Sequence, residues 1–170
     1  MWEAVWDRLL GGLWHTTSKE RFQRILQDGA ILPEPVLPDS ERWNTRIGSD
    51  GYPYARSLGA VSLFDFHGFD YETYQQKFPL SSIATFVPFR ETWGHAVWIE
   101  IDRAAVAPSI IQPADLVARW KAEEAYRRNI MPHVEAAHLG PIPTSAFVGC
   151  FMVDQDFVLT ELNVEHDDQS

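Results

Sequence analysis

The chain has 170 residues, 45% of them hydrophobic and 13% aromatic, and 24 acidic against 14 basic side chains leave a formal charge of −10. A chain of this length and apolar content forms one domain that buries about two-thirds of its unfolded surface, which excludes wholesale disorder. The negative balance argues against general nucleic-acid binding, because phosphate affinity comes chiefly from cationic side chains. Only Arg21, Arg24, Arg42, Arg46 and Arg56 fall close together in sequence. The single cysteine, Cys150, sits in an apolar run and reads as a buried structural thiol in a reducing compartment. No stretch approaches the ~20 apolar residues of a membrane helix. Glu3 and Asp7 replace the basic start of a secretion signal. The expected location is the cytoplasm.

Trp2, Trp6, Leu9 and Leu10 recur at helical spacing, and Gly11-Gly12 ends that segment. Residues 13–16 read as the first strand. Thr17, with Glu20 three residues on, reads as the capping box of a helix. The apolar face of that helix is Phe22, Ile25 and Leu26, and Gly29 is placed to stop it. Ile31-Leu32-Pro33 follows as an exit segment. Residues 33–58 then form a long loop broken by prolines and glycines. Loops of such length inside compact domains are usually functional, and Trp43, Tyr52, Tyr54, Arg46 and Arg56 give this one binding potential.

Residues 59–64 read as a buried strand, 71–78 as a helix capped by Asp70, and 83–87 as a short strand. Residues 95–101 alternate enough to predict a strand with one exposed face. Pro113 opens a helix reaching to about residue 128, since proline suits a first helical position. Strands follow at 133–137, 146–153 and 157–162, the last two joined by Asp154-Gln155-Asp156 at hairpin length. Residues from Glu165 onward read as an acidic tail. Strands gathered at the end with short turns favour an α+β fold over a wound parallel sheet.

Neither a Gly-x-Gly-x-x-Gly turn nor a Gly-Lys-Ser/Thr phosphate loop occurs, so any nucleotide needs another scaffold. Metal chemistry finds no support either. His133 and His138 are five apart, whereas the zinc-protease helix needs His-Glu-x-x-His. Glu135 and His138 make one Glu-x-x-His, whereas a di-iron bundle needs two on long helices.

Two distant stretches carry the functional signal: Leu13-Trp14-His15-Thr16-Thr17 and Pro132-His133-Val134-Glu135-Ala136-Ala137-His138. A strand-borne His-x-Thr early and a strand-borne Glu late resembles the ADP-ribosyltransferase superfamily. "LWHTTSKERFQRILQDGAILPEP" is similar to the opening of that fold: strand, His-x-Thr, a helix closing on Ile-Leu-x-x-Gly, and a proline exit. "YARSLGAVSLFDF" is similar to its second strand, and "HVEAAHLGPIPTSAFVGCFMV" to its catalytic-glutamate strand, with some similarity to the DNA-modifying toxin branch. The middle, residues 70–128, matches nothing, and many members carry a tyrosine where this chain has Ser62 or Phe64.

The resemblance implies a single ADP-ribosyltransferase-like domain over residues 1–170, built of two packed, mainly antiparallel sheets with flanking helices. It implies NAD as substrate, bound by His15, Thr16 and Thr17, with His15 and Thr17 at the adenosine ribose, Arg56 approaching the NAD phosphates or the nicotinamide ribose, and Ser62, Phe64 or Phe66 near the nicotinamide. It also implies Glu135 and Arg56 as catalytic residues and a macromolecular acceptor, protein or nucleic acid. An RNA 2′-phosphotransferase of the same fold, or a non-catalytic partner-binding or immunity protein, are the alternatives. Each side chain also has a plain structural reading: His15 as a core or capping residue, Glu135 as a solvated strand residue, Arg56 as a loop cation, Ser62 and Phe64 as core.

Overall fold

The computed structural model describes residues 2–164, so the expected tail from Glu165 lies outside the described residues. Helix α1 (Glu3–Leu9) leads into strand β1 (Leu13–Thr17), helix α2 (Lys19–Asp28) and strand β2 (Ala30–Ile31). The following loop contains two 3-10 turns, Asp39–Glu41 and Ser49–Gly51, and ends in the short helix α3 (Tyr54–Ser57). Strand β3 (Ala60–Asp65), helices α4 (Tyr71–Lys77) and α5 (Ile83–Phe86) and strand β4 (Ala96–Ile101) come next. Helix α6 (Arg103–Val106), strand β5 (Ile110–Ile111) and helix α7 (Pro113–Ala122) precede strands β6 (Glu135–Leu139), β7 (Ile142–Pro143), β8 (Phe147–Val153) and β9 (Leu159–Leu162).

The strands form two sheets, one of seven in the order β5-β6-β3-β1-β4-β8-β9 and one of two, β2-β7. Every pairing is antiparallel. The α+β class with packed antiparallel sheets is therefore the architecture of the chain. Alternation of side chains sends successive residues of each strand into opposite layers. On one face Trp14, Phe64, Trp98 and Phe151 pack with Val5 and Leu9 of α1, Tyr74 of α4 and Ile83 of α5. On the other face Leu13, Leu63, Val97 and Ile99 pack with Phe22 and Ile25 of α2 and with Ile31 and Ile142 of the small sheet. A third cluster seats α3 and α7 on the β6 side, through Tyr54, Leu116, Val117 and Ala137.

Several expectations are corrected. Ser18, not Thr17, caps α2: its hydroxyl accepts from the Arg21 N–H at 3.2 Å. Thr17 is instead the last residue of β1, opposite Val97. The exit at Ile31 is a strand, paired with Ile142 across a sequence distance no local pattern reveals. Residues 83–86 are helical, because Ile83 must enter the core while Phe86 leans over Phe64. Strand β4 has no exposed face, since it is central and both its sides are covered. Helix α7 stops at Ala122, where Glu124 takes a left-handed φ of 51° and the Trp120 indole donates to the Arg128 carbonyl. Strand β6 starts at Glu135 because His133, at φ 61°, belongs to a turn. Strand β9 likewise starts late, at Leu159, after a turn held by the Asp154 carboxylate.

Candidate active site

The central strands β1 and β3 pair over only two positions, Leu13 with Asp65 and Trp14 with Phe64. Past Trp14 they part. β1 continues along β4 as far as Thr17 and Val97, while β3 continues along β6 as far as Ala60 and Leu139. A split in mid-sheet exposes backbone groups that ordinarily satisfy one another. Side chains take over that role here: His15 reaches across and bonds the Ser62 carbonyl at 3.1 Å.

The split opens into a cleft of about 220 Å³, walled by α2, the 33–58 loop and the segment around Asn129 and Met131. His15, Thr16, Thr17, Arg56, Ser62, Phe64 and Glu135 all line it. Residues 120 positions apart, His15 and Glu135, thus meet at one place.

Glu135 is the first residue of β6, directly opposite Phe64, and only 4% exposed. The Ser62 hydroxyl donates to its Oε2 at 2.6 Å, and the Met131 N–H donates to its Oε1 at 3.0 Å. Both carboxylate oxygens are therefore oriented, and each keeps a free lone pair. Burial pushes this carboxyl above the usual range, while the Ser62 and Met131 bonds pull it back. The plain reading of Glu135 as a solvated strand residue does not describe it.

A carbonyl can only accept, so the contact with Ser62 makes Nδ1 of His15 the donor and leaves Nε2 as an acceptor. Burial pulls the imidazole below its ordinary pKa, against the Ser62 bond and with help from the Arg21 charge. His15 is accordingly neutral near pH 7. Thr16 donates weakly to the Val97 carbonyl at 3.4 Å, and Thr17 is buried. Phe64 is a core residue as much as a wall of the cleft: its ring meets Trp98 and Phe86 edge-on, and Phe86 meets Trp43 of the loop.

Arg56 is committed elsewhere. Its guanidinium bonds Glu34 at 2.8 and 3.2 Å and Asp39 at 3.1 Å, and lies 3.6 Å over the Tyr52 ring. Arg42 shares Glu34 at 2.6 Å, and the Tyr52 hydroxyl bonds Asp39. These contacts tie the 33–58 loop to itself beside the cleft. Of the Arg56 nitrogens, Nη1 is buried without a partner.

Sequence reasoning passed over Asn129, Met131, Arg90 and Trp93, which also line the cleft. None lies in a segment with a recognisable motif. Arg21 and Arg24 were visible as part of a basic run, and their spacing of three places both on the cleft side of α2. Arg46 of that run does not line the cleft.

No family model and no curated protein matches the sequence. Among solved structures the chain is similar to heat-labile enterotoxin. A mutant of the E. coli toxin is 16% identical, covering 91% of this chain and 77% of that one at a TM-score of 0.47. A point mutant studied for the flexibility of its A-subunit active-site loop is 16% identical, covering 91% and 76% at 0.46. A double mutant is 15% identical, covering 91% and 63% at 0.45. No helix among the described residues is long and apolar enough to cross a membrane.

Proposed function

We propose that the protein transfers ADP-ribose from NAD to a macromolecular acceptor. The observation that carries this reading is Ser62, which joins Glu135 through its hydroxyl and His15 through its carbonyl within one cleft. The two most specific residues of the ADP-ribosyltransferase resemblance are thereby held in a single hydrogen-bonded unit.

The chemistry matches what such a unit can do. When the bond between nicotinamide and ribose breaks, its electron pair leaves with nicotinamide and C1′ becomes part of an oxocarbenium ion, as in glycoside hydrolysis. A nucleophilic atom of the acceptor then bonds C1′ and releases its proton. Glu135 presents an oriented carboxylate in a low-dielectric site, where it stabilises developing positive charge without reorganising. Its remaining lone pairs can accept from a ribose hydroxyl. Nε2 of His15 is a second acceptor, suited to the hydroxyls of the other ribose, with Thr17 beside it. Phe64 and Phe86 provide an apolar wall against which a planar ring can stack. Arg56, neutralised by Glu34 and Asp39, holds the loop in shape.

Calorimetry with NAD, combined with assay of nicotinamide release, tests the reading. Binding in the micromolar to millimolar range with slow release is expected, independent of divalent metal. Absence of both heat and nicotinamide at millimolar NAD would overturn it.

A further inference from the structure

Arg21 on α2 and Arg90, in the segment before β4, are far apart in sequence yet share one indole. The guanidinium carbon of Arg21 lies 5.5 Å from the Trp93 ring centroid, and that of Arg90 lies 4.8 Å from it. Both side chains are half-buried. Among the described residues, Arg8, Arg42, Arg56, Arg103 and Arg119 each reach a carboxylate within ion-pair distance. Arg21 and Arg90 reach none, and neither does Arg24, an exposed residue of the same cleft that donates to the Val36 carbonyl. Arg21 donates to the backbone carbonyl of Glu41, whose own carboxylate is on an exposed residue.

Such an arrangement is costly. Two like charges are taken partly out of water and placed near one another with neither in an ion pair. Burial lowers both guanidinium pKa values; repulsion from Arg21 adds to the effect on Arg90, while Glu41 partly offsets it for Arg21. Cation–π contact with Trp93 returns some of that cost but does not neutralise charge. Position completes the argument. Arg21, Arg90 and Trp93 line the deep cleft and also a second, more open cleft that adjoins it along α2 and includes Ser18, Thr92 and His95 together with the exposed Glu20 and Glu41 at its rim. A seam between two clefts is where a ligand in one meets a ligand in the other.

We propose that Arg21 and Arg90, framed by Trp93, form a subsite for a phosphate group. Two guanidinium forks suit the several oxygens and the higher charge of a phosphate. In Arg56 the corresponding charge is already consumed by Glu34 and Asp39, so this pair, rather than Arg56, is the electrostatic partner open to a ligand. The identity of the phosphate rests on the NAD reading: it is either the dinucleotide's diphosphate or a phosphate of the acceptor. The existence of the subsite does not rest on it.

The test is calorimetry at low salt with inorganic pyrophosphate, NAD and nicotinamide riboside, which lacks the diphosphate. Proteins compared are the parent, R21Q/R90Q, Arg90→Lys and the surface control Arg119→Gln. Pyrophosphate binding to the parent is expected, weakened at least about tenfold in R21Q/R90Q, given the usual worth of hydrogen bonds to charged groups. Arg90→Lys, which keeps the charge and loses the fork, should fall between, and R119Q should match the parent. If NAD weakens in parallel while nicotinamide riboside does not, the subsite holds the dinucleotide's diphosphate. If NAD is unaffected while pyrophosphate is lost, it holds the acceptor's phosphate. Pyrophosphate binding with no NAD binding would sink the transferase reading and leave the subsite standing. Pyrophosphate that fails to bind the parent, or binds Arg90→Lys and a folded R21Q/R90Q as well as the parent, overturns the subsite.

Discussion

Ser62 donates its hydroxyl to Oε2 of Glu135 at 2.6 Å, from the strand directly beside the one that carries the glutamate. The same residue accepts the ring of His15 on its backbone carbonyl. One residue, through its hydroxyl for Glu135 and its backbone carbonyl for His15, therefore orients both groups proposed to hold NAD and its transition state.

The Glu135→Gln variant keeps shape and can keep both hydrogen bonds, because the Ser62 hydroxyl can turn to accept from the amide. It removes the charge. Nicotinamide release should fall by about 10²–10³, the usual effect of losing one preorganised electrostatic group, with NAD affinity within a few-fold. Turnover close to that of the parent would show that Glu135 is structural.

The same variant has a stability signature with a definite sign. Burial raises the Glu135 pKa in the folded state, so the fold binds this proton more tightly than the unfolded chain does. That contribution is fully present below the unfolded pKa and is lost as pH rises through the folded one. At pH 7 the ionised carboxylate is a cost, and Glu135→Gln should melt at or above the parent temperature. On acidification toward pH 4 the parent should gain relative to the variant. Thermal melts across pH 4–8 check this; a variant less stable at pH 7 than at pH 4, relative to the parent, would contradict it.

Removing the hydroxyl in Ser62→Ala takes away the stronger of the two hydrogen bonds that lower the Glu135 pKa. The carboxyl should then titrate higher, and the acidic limb of the pH–rate profile should move to higher pH, because a bond that favoured the ionised form is gone. The backbone contact to His15 survives, so NAD binding should hold. An unshifted limb would mean that the hydroxyl does not tune Glu135.

Nε2 of His15 is an acceptor only while the ring is neutral, and burial keeps it so to lower pH than an ordinary histidine. NAD affinity in the parent should therefore be flat from pH 8 through 6.5 and decline only on further acidification. His15→Ala should weaken NAD by about 1–2 kcal/mol, the worth of one lost hydrogen bond and its packing. Titration calorimetry at several pH values measures both.

Glu34 pairs with both Arg42 and Arg56, and with Asp39 and Tyr52 it ties residues 34–56 together. Glu34→Gln should loosen that segment. Trypsin is expected to cut first after the exposed Arg46, faster in the variant, while global stability changes by about 1 kcal/mol or less, because exposed ion pairs are worth little. Mass spectrometry of the first fragments identifies the site. An unchanged rate of cutting would show that backbone turns, not Glu34, hold the loop.

Local chemistry determined what lay within a turn or two of chain. The stop at Gly29, with its left-handed φ of 72°, and the cap at Asp70 were legible because each depends on one residue's own backbone or on a carboxylate contact within one turn. The strand that carries His15, the α+β class and the placement of Glu135 on a late strand were legible for the same reason, through short-range periodicity. Periodicity could not tell an apolar helix from an apolar strand at 83–86, where burial of Ile83 decided, nor foresee that Glu124 and His133 would adopt left-handed backbone and end or delay their elements. Only the tertiary structure parted β1 from β3 after two pairs, closed Glu34 and Asp39 onto Arg56, and brought Arg21 and Arg90 to one indole. Those are pairings between segments tens of residues apart. Their energies depend on which surfaces meet after the chain has folded, and no window of neighbouring residues contains both partners.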